Sequence, residues 1–537
     1  MRAVLLSTAI VCVAVAGGAA QNAPSSTQSP VFRTDAGLVR VSVVVQDGRG
    51  RPVTGLTAAD FELFDRGEPQ KVAFFSIEGS AAPHAAPQAP NVFTNRFDGP
   101  ASAGVTVLLF DRLNTLQEHQ TIARTHIFQY LKQLSPDDRV GFYVLEDDEV
   151  RVLHDFTRDA SSLLKALERI ESRSSIALSG SQDRLVRGIE VGLREFDTEL
   201  EGWVARAEEQ IQGFFTDRRI RATTGAMEAI AAHLAAVRGR KNVIWISSGF
   251  PIRFNDGITA RTASTEVFRA THALNDADIA FYPVDARGLM GVFSTPPSAR
   301  QQEFATLEDL MRNIDTSRIV AEQTGGRAYF NTNDLGGAIK RAAEDSRLTY
   351  VLGYTPTHGR WDGRFREIKV RVRRRDIDVR HRRGYYALAS EAPSSRDAQK
   401  LMAEALDSPL DATGVGLTVS VSNPDTPGNV VFTIHVEPAA VLLRSDGAMW
   451  TGQLDVSMAQ TLPDGTLIRS LDASVPLRLP ESGRQQMLAE GLTFTRTLAV
   501  RPDADQVKIA VRNGAGAIGT VTLPASRVRA PMKQGLR

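Results

Sequence analysis

The stretch Val105–Thr115, VTVLLFDRLNT, decides the fold: an apolar run from Val105 to Phe110 stops at Asp111, and Arg112-Leu113-Asn114-Thr115 leads into a long helical pattern. A fully buried parallel strand that ends on a carboxylate is a common way for an open α/β sheet to present a ligand-binding group. Residues Asn242–Ser248 (NVIWISS) and Asp278–Asp285 (DIAFYPVD) repeat the pattern, each after an amphipathic helical stretch. Three strand ends then converge on one sheet edge.

Outward from this stretch, residues 104–356 alternate strand and helix. Helical patterns over 117–134, 159–171, 218–239, 264–276 and 304–324 separate strands at 105–110, 139–145, 242–247, 279–284 and 327–331, and 348–353 completes the set. Such alternation predicts an α/β fold with right-handed crossovers, a doubly wound and mostly parallel sheet with helices on both faces. A helical insertion stands near 172–216, where Ile189, Leu193, Phe196, Leu200, Trp203, Ala207, Ile211 and Phe214 recur at spacings of three and four. That apolar stripe of about seven turns either packs on its own sheet or is offered to a partner helix.

The flanks read differently. Arg2, the apolar Ala3 to Ala16 and the small residues Gly18, Ala19 and Ala20 predict a signal peptide over 1–20 and a mature chain from Gln21, with no later segment apolar enough to span a bilayer. Alternation at Val39, Val41, Val43 and Val45 up to Asp47-Gly48, with short strands near 61–64 and 72–75, predicts a small all-β module over 31–79. An Ala- and Pro-rich linker follows over 80–103. Beyond Tyr354 the pattern predicts a basic β-hairpin extension over 357–390, a short helix from Arg396 to Leu406, and an all-β domain, a second sandwich, over 408–537.

Composition bounds the function. A net charge of +1 on 537 residues excludes a global polyanion-binding argument, so any basic surface is local. The single cysteine, Cys12, lies in the leader, which leaves the mature chain without thiol nucleophile, disulfide or thiolate zinc site. Ser247 and Ser248 follow a strand but lack the glycine that a nucleophile elbow needs, and the nine histidines show no metalloprotease spacing. Gly514, Gly516 and Gly519 mimic a dinucleotide fingerprint, yet Asn513-Gly514 reads as a hairpin turn.

The segments LTAADFELFDRGEPQ (56–70), VTVLLFDRLNT (105–115), GRKNVIWISSGFP (239–251), FYPVDARGL (281–289) and RRGYYAL (382–388), in this order, resemble the secreted bacterial VWFA-related family described from acidobacteria. The resemblance covers about residues 35–390 and implies a von Willebrand factor type A-like domain. Such domains are usually adhesion or assembly modules with a metal-ion-dependent adhesion site. Its pattern is Asp-x-Ser-x-Ser after the first strand, a Thr from a neighbouring loop and an Asp after a later strand. Carried over, Asp111 matches the first Asp, Leu113 stands where the first Ser falls, and Thr115 keeps the second hydroxyl. Thr224, with Thr223 its close competitor, takes the Thr position, and Ser248 stands where the last Asp falls.

The resemblance therefore implies a degenerate site that holds Mg2+ or Mn2+ weakly through Asp111, Thr115, Thr224 and Ser248, because hard cations depend on carboxylate count. The alternative is that Asp111 caps the following helix or accepts backbone hydrogen bonds at the strand end. Asp285 reads as an Asp turn or helix cap before Gly288, or as a second carboxylate at the same edge.

Arginine density peaks from Arg364 to Arg383, and in 368–374 Ile368, Val370 and Val372 alternate with Lys369, Arg371 and Arg373. This is either a solvated edge strand or a patch for anionic glycan, lipid headgroup or an acidic partner. Nucleic acid does not suit an exported chain with few interleaved aromatics. The expected function is an exported, non-enzymatic protein-interaction, adhesion or envelope-assembly module in the periplasm or outside the cell, its partner engaged through an acidic side chain. A metal-assisted hydrolase using Asp111 and Asp285, or an accessory subunit of an extracytoplasmic enzyme, is the alternative.

Overall fold

The computed structural model describes residues 39–78, 92–96, 104–135, 138–147, 149–170, 198–235, 237, 239–249, 257–288, 314–345, 347–358, 361–387, 395–408, 410–422, 429–447 and 449–529. The expected signal peptide, the polar tether and most of the helical insertion lie outside them.

The central sheet forms where sequence and burial agree most closely. Strands β6 (Val105–Asp111), β7 (Val140–Glu146), β9 (Lys241–Ser247) and β10 (Ile279–Asp285) run parallel in the order β10-β9-β6-β7, and β8 (Glu149–Thr157) closes one edge antiparallel. Every residue of β6 and β9 is buried, as a strand covered on both faces requires. Alternate residues feed two cores. Val105, Val107 and Leu109 face helices α3 (Thr198–Leu234) and α4 (Gly257–Asp276), whereas Leu108 and Phe110 face α1 (Gln117–Lys132) and α2 (Ala160–Glu168).

Three sequence expectations change here. The strand expected at 327–331 reduces to one parallel bridge, Val284 to Tyr329, and just ahead of it the chain passes Phe281 closely at Gly326. A Cβ at Gly326 would collide with the Phe281 carbonyl oxygen. The run 348–353 does not complete the parallel sheet: β11 (Thr349–Tyr354) is antiparallel to β1 (Val39–Asp47) and β4 (Phe74–Glu78). Helix α3 is one continuous element of 37 residues that joins the expected 218–239 helix to the end of the insertion stripe. Ile211 and Phe214 of that stripe are 50% and 60% exposed, so at these positions it does not pack on the sheet.

The N-terminal strands do not close on themselves. The sheets β13-β1-β11-β4 and β14-β12-β2-β3 combine β1, β2 (Phe61–Asp65), β3 (Glu68–Gln70) and β4 with β11, β12 (Phe365–Val372), β13 (Ile377–Arg380) and β14 (Gly384–Tyr386). Val41, Val43, Leu63, Tyr350, Leu352, Ile368 and Val370 share one core. The expected basic hairpin is kept in part, since β12 pairs antiparallel with β14, but it is built into these sheets and is not a separate extension. Strand β12 pairs with β2 and β14, while β13 pairs with β1. Strand β12 pairs with β14 over Phe365–Glu367 and with β2 over Ile368–Val372, and its Lys369 and Arg371 point outward.

This β-unit grips the α/β sheet through buried polar groups. Asp345, 1% exposed, accepts from Gln46 of β1 at 2.9 Å, from the Tyr282 hydroxyl of β10 at 2.7 Å and from Arg380 Nη2 of β13 at 2.7 Å. Ser42 of β1 donates to Asp278, just ahead of β10, at 2.7 Å. Within the expected linker, β5 (Val92–Thr94) adds a strand to β15 (Leu417–Ser422), and Asn95 locks it by donating to the carbonyls of Ala412 and Val415 at 2.8 Å each. That sheet joins β5 and β15 to β16 (Asn429–Val436) and β20 (Leu492–Ala499), and it shares a core with a second antiparallel sheet of β17 (Arg444–Asp446), β18 (Met449–Thr461), β19 (Leu467–Leu479), β21 (Gln506–Asn513) and β22 (Ile518–Pro524); Phe432, Ile434, Val456 and Ile509 are central to it.

Candidate functional site: the strand-end edge

Asp111 ends β6 with its side chain on the same face as Leu109 and Val107, under helix α3 rather than toward the loops. It is fully buried. Its Oδ1 accepts the backbone N–H of Asn114 at 2.8 Å, and its Oδ2 accepts Asn114 Nδ2 at 2.7 Å and the Trp245 indole N–H at 2.9 Å. Asn114 then donates to Thr223 Oγ1 at 2.8 Å and accepts from Arg219 Nε at 3.0 Å, tying the strand end to α3. Burial pushes the Asp111 carboxyl up to about 6, against the opposing hydrogen bonds from Asn114.

The four residues expected to hold a metal are not a ligand set. Thr115 is buried, and its Oγ1 accepts the backbone N–H of Ser248 at 3.2 Å. Thr224 donates its hydroxyl back to the Ile220 carbonyl of its own helix at 2.9 Å; the competing Thr223 is the one that joins the Asp111 network. Ser248 Oγ lies 2.9 Å from His119 Nδ1. Leu113, 1% exposed, occupies the first hydroxyl position as an anchor in the core below α3. A hard cation needs oxygen lone pairs open to it, and at Asp111 it would have to displace three N–H donors. The residues present do not fit Mg2+ or Mn2+. Among the described residues no group of three or more His, Cys, Asp or Glu could hold a metal.

The other carboxylates at this edge are also engaged. Asp285 accepts the backbone N–H of Arg287 at 2.9 Å and a two-pronged contact from its guanidinium at 2.7 Å and 2.9 Å, the Asp turn that the sequence allowed. Glu146 at the end of β7 bridges Arg112 and Arg151. Half-buried His119 and Ser248 form a polar pair partly open to solvent, and burial holds the His119 imidazole below its ordinary value. No local pattern signals this pair in the sequence, since the two residues meet only through the sheet order.

No family model matches the chain, and no curated protein matches it. Among solved structures the chain is similar to the VWA domain of SpRpn10, with 10% identity and a TM-score of 0.17 over 34% of this chain and 74% of that one. It is also similar to the pilus adhesin SpaC from Lactobacillus rhamnosus GG, with 9% identity and a TM-score of 0.23 over 84% of this chain and 57% of the adhesin. A third is a beta-glucosidase from Listeria innocua, with 8% identity and a TM-score of 0.15 over 81% of this chain and 48% of that one. All three are weak neighbours, and the chain spans about half the length of the last two. Among the described residues no helix is long and apolar enough to cross a membrane.

Proposed function

We propose that this chain is an exported, non-enzymatic interaction module of the adhesion or envelope-assembly kind, built on a von Willebrand factor type A-like sheet whose metal site has become structural. One observation supports the reading above the rest. Asp111, Asp285 and Glu146, the strand-end carboxylates that a hydrolytic or metal-assisted mechanism would use, are committed to internal donors. A rigid sheet whose described strand-end carboxylates are already engaged suits recognition, and exposed Gln117 and Glu118 with half-buried His119 and Ser248 form a surface available for it.

The test has two parts. N-terminal sequencing of the protein recovered outside the cytoplasm should begin at Gln21; Met1 there rejects cleavage of the leader. Immobilised protein should retain a defined set of envelope proteins, and Glu118→Ala with His119→Ala should weaken retention without lowering the melting temperature. Retention indifferent to these changes rejects the edge as the contact surface.

The 2.9 Å contact between His119 and Ser248 favours a second reading, a hydrolase in which His119 serves as base to a Ser248 nucleophile. That reading requires covalent labelling of Ser248 by a fluorophosphonate, lost on His119→Gln. Absence of labelling rejects it.

A further inference from the structure

Away from the strand-end edge, a cleft of about 530 Å3 opens between the segment 318–330 and strands β12 and β13. Five cations line it, Arg318, Arg327, Lys369, Arg380 and Arg383, against the carboxylates Glu322 and Glu367. Two of the cations are spent internally, Arg380 on Asp345 and Arg327 on Asp378 at 2.7 Å. His381 adds no charge: its Nε2 accepts the Val370 N–H at 3.1 Å while its Nδ1 donates to the Arg382 carbonyl at 2.8 Å. Arg318, Lys369 and Arg383 are exposed, and among the described residues no ion pair engages them. The positive surface continues out of the cleft along the outward face of β12 through Arg371 to Arg374 and Arg375.

We propose that this cleft, continued along the outward face of β12, binds an extended acidic peptide segment of a partner protein. The inference rests on reading the chain as an interaction module and names the chemistry of its partner. Three features select a peptide. A concave wall admits a single extended chain, whereas a flat bilayer surface does not follow its floor. A sugar ring would stack on an open aromatic face, but Arg318 lies over Phe330 at 5.3 Å and Arg371 over Phe64 at 5.4 Å. Between the cations the wall carries the partly exposed Ala328 and Val379, which suits a segment that sets apolar side chains among its acidic ones. Guanidinium groups that contact rings are restrained there, so less rotamer freedom is lost when a carboxylate docks.

The test uses the full chain and a fluorescent peptide of alternating glutamate and valine, followed by anisotropy. Binding should weaken with added salt and fall about tenfold or more in Lys369→Glu with Arg383→Glu, since two attractive pairs become repulsive. Both residues are exposed and unpaired in this sense, so the fold should survive; Arg444→Glu, on the far β-domain, is the control and should bind as wild type. Absence of binding at low ionic strength, binding that the double reversal leaves unchanged, or equal weakening by Arg444→Glu overturns the proposal. So does binding of heparin or of phosphatidylserine vesicles, dependent on Lys369 and Arg383, in place of the peptide. If the wild-type chain still retains envelope proteins while the peptide fails to bind, the cleft alone is rejected; loss of both rejects the interaction-module reading as well.

Discussion

The indole N–H of Trp245 on β9 donates to the buried Oδ2 of Asp111 on β6 across 2.9 Å. This one contact turns a strand-end carboxylate, the group that would head a metal site, into an acceptor shared between two neighbouring strands. With Asn114 supplying two further donors, the carboxylate is solvated by the protein itself. The consequences are measurable.

Removing a donor should cost stability and little else. Trp245→Phe leaves a buried acceptor short of a partner, and Asn114→Ala removes contacts to Asp111, Thr223 and Arg219 together. The expected losses are about 1–3 kcal/mol for each, with Asn114→Ala the larger. Denaturant midpoints check this, and unchanged midpoints would show that the network contributes nothing.

Asp111 also predicts a pH signature. Its carboxyl rises from an ordinary 3.8 to about 6 in the folded chain because it is buried. A group raised in this way adds stability that is complete below its unfolded value and is lost as pH rises through its folded value. The stability of the wild type relative to Asp111→Asn should therefore fall by roughly 2–3 kcal/mol between about pH 4 and about pH 7. A gap that stays constant over this range, or widens, contradicts the burial argument.

The junction between the β-unit and the parallel sheet should be the most fragile polar site away from this edge. Asp345→Ala takes from Arg380 its buried carboxylate, leaving it Asp378 and Gln46, and takes from the Tyr282 hydroxyl its acceptor, at a cost of about 3–5 kcal/mol. Adding Arg380→Met should recover part of the loss. Urea unfolding of both variants checks this, and a single-variant loss under about 1 kcal/mol would place the anchorage elsewhere.

How far the sequence reached follows from range. The buried parallel strands were legible because Val105–Phe110, Val243–Ile246 and Ile279–Val284 carry their pattern locally, and so was the alternation of Ile368, Val370 and Val372 with Lys369 and Arg371. Partner choice was not legible. Tyr350 and Leu352 fit a strand in either sheet, and only the placement of β1 and β4 beside them decides which. Val92–Thr94 has the composition of a linker and becomes a strand because β15 offers it an edge. At the site, Asp111 as an acceptor of backbone N–H was among the stated alternatives, whereas the indole of Trp245, distant in sequence, was not.

The measurement closest to the central claim is a calorimetric titration of Mg2+ and Mn2+ into the wild-type chain and into Ser248→Asp. With Asp111 already saturated by Asn114 and Trp245, neither protein should show saturable binding, and the added carboxylate should gain nothing. Saturable binding that is strengthened by Ser248→Asp and abolished by Asp111→Asn would contradict the account and restore the strand-end edge as a metal site.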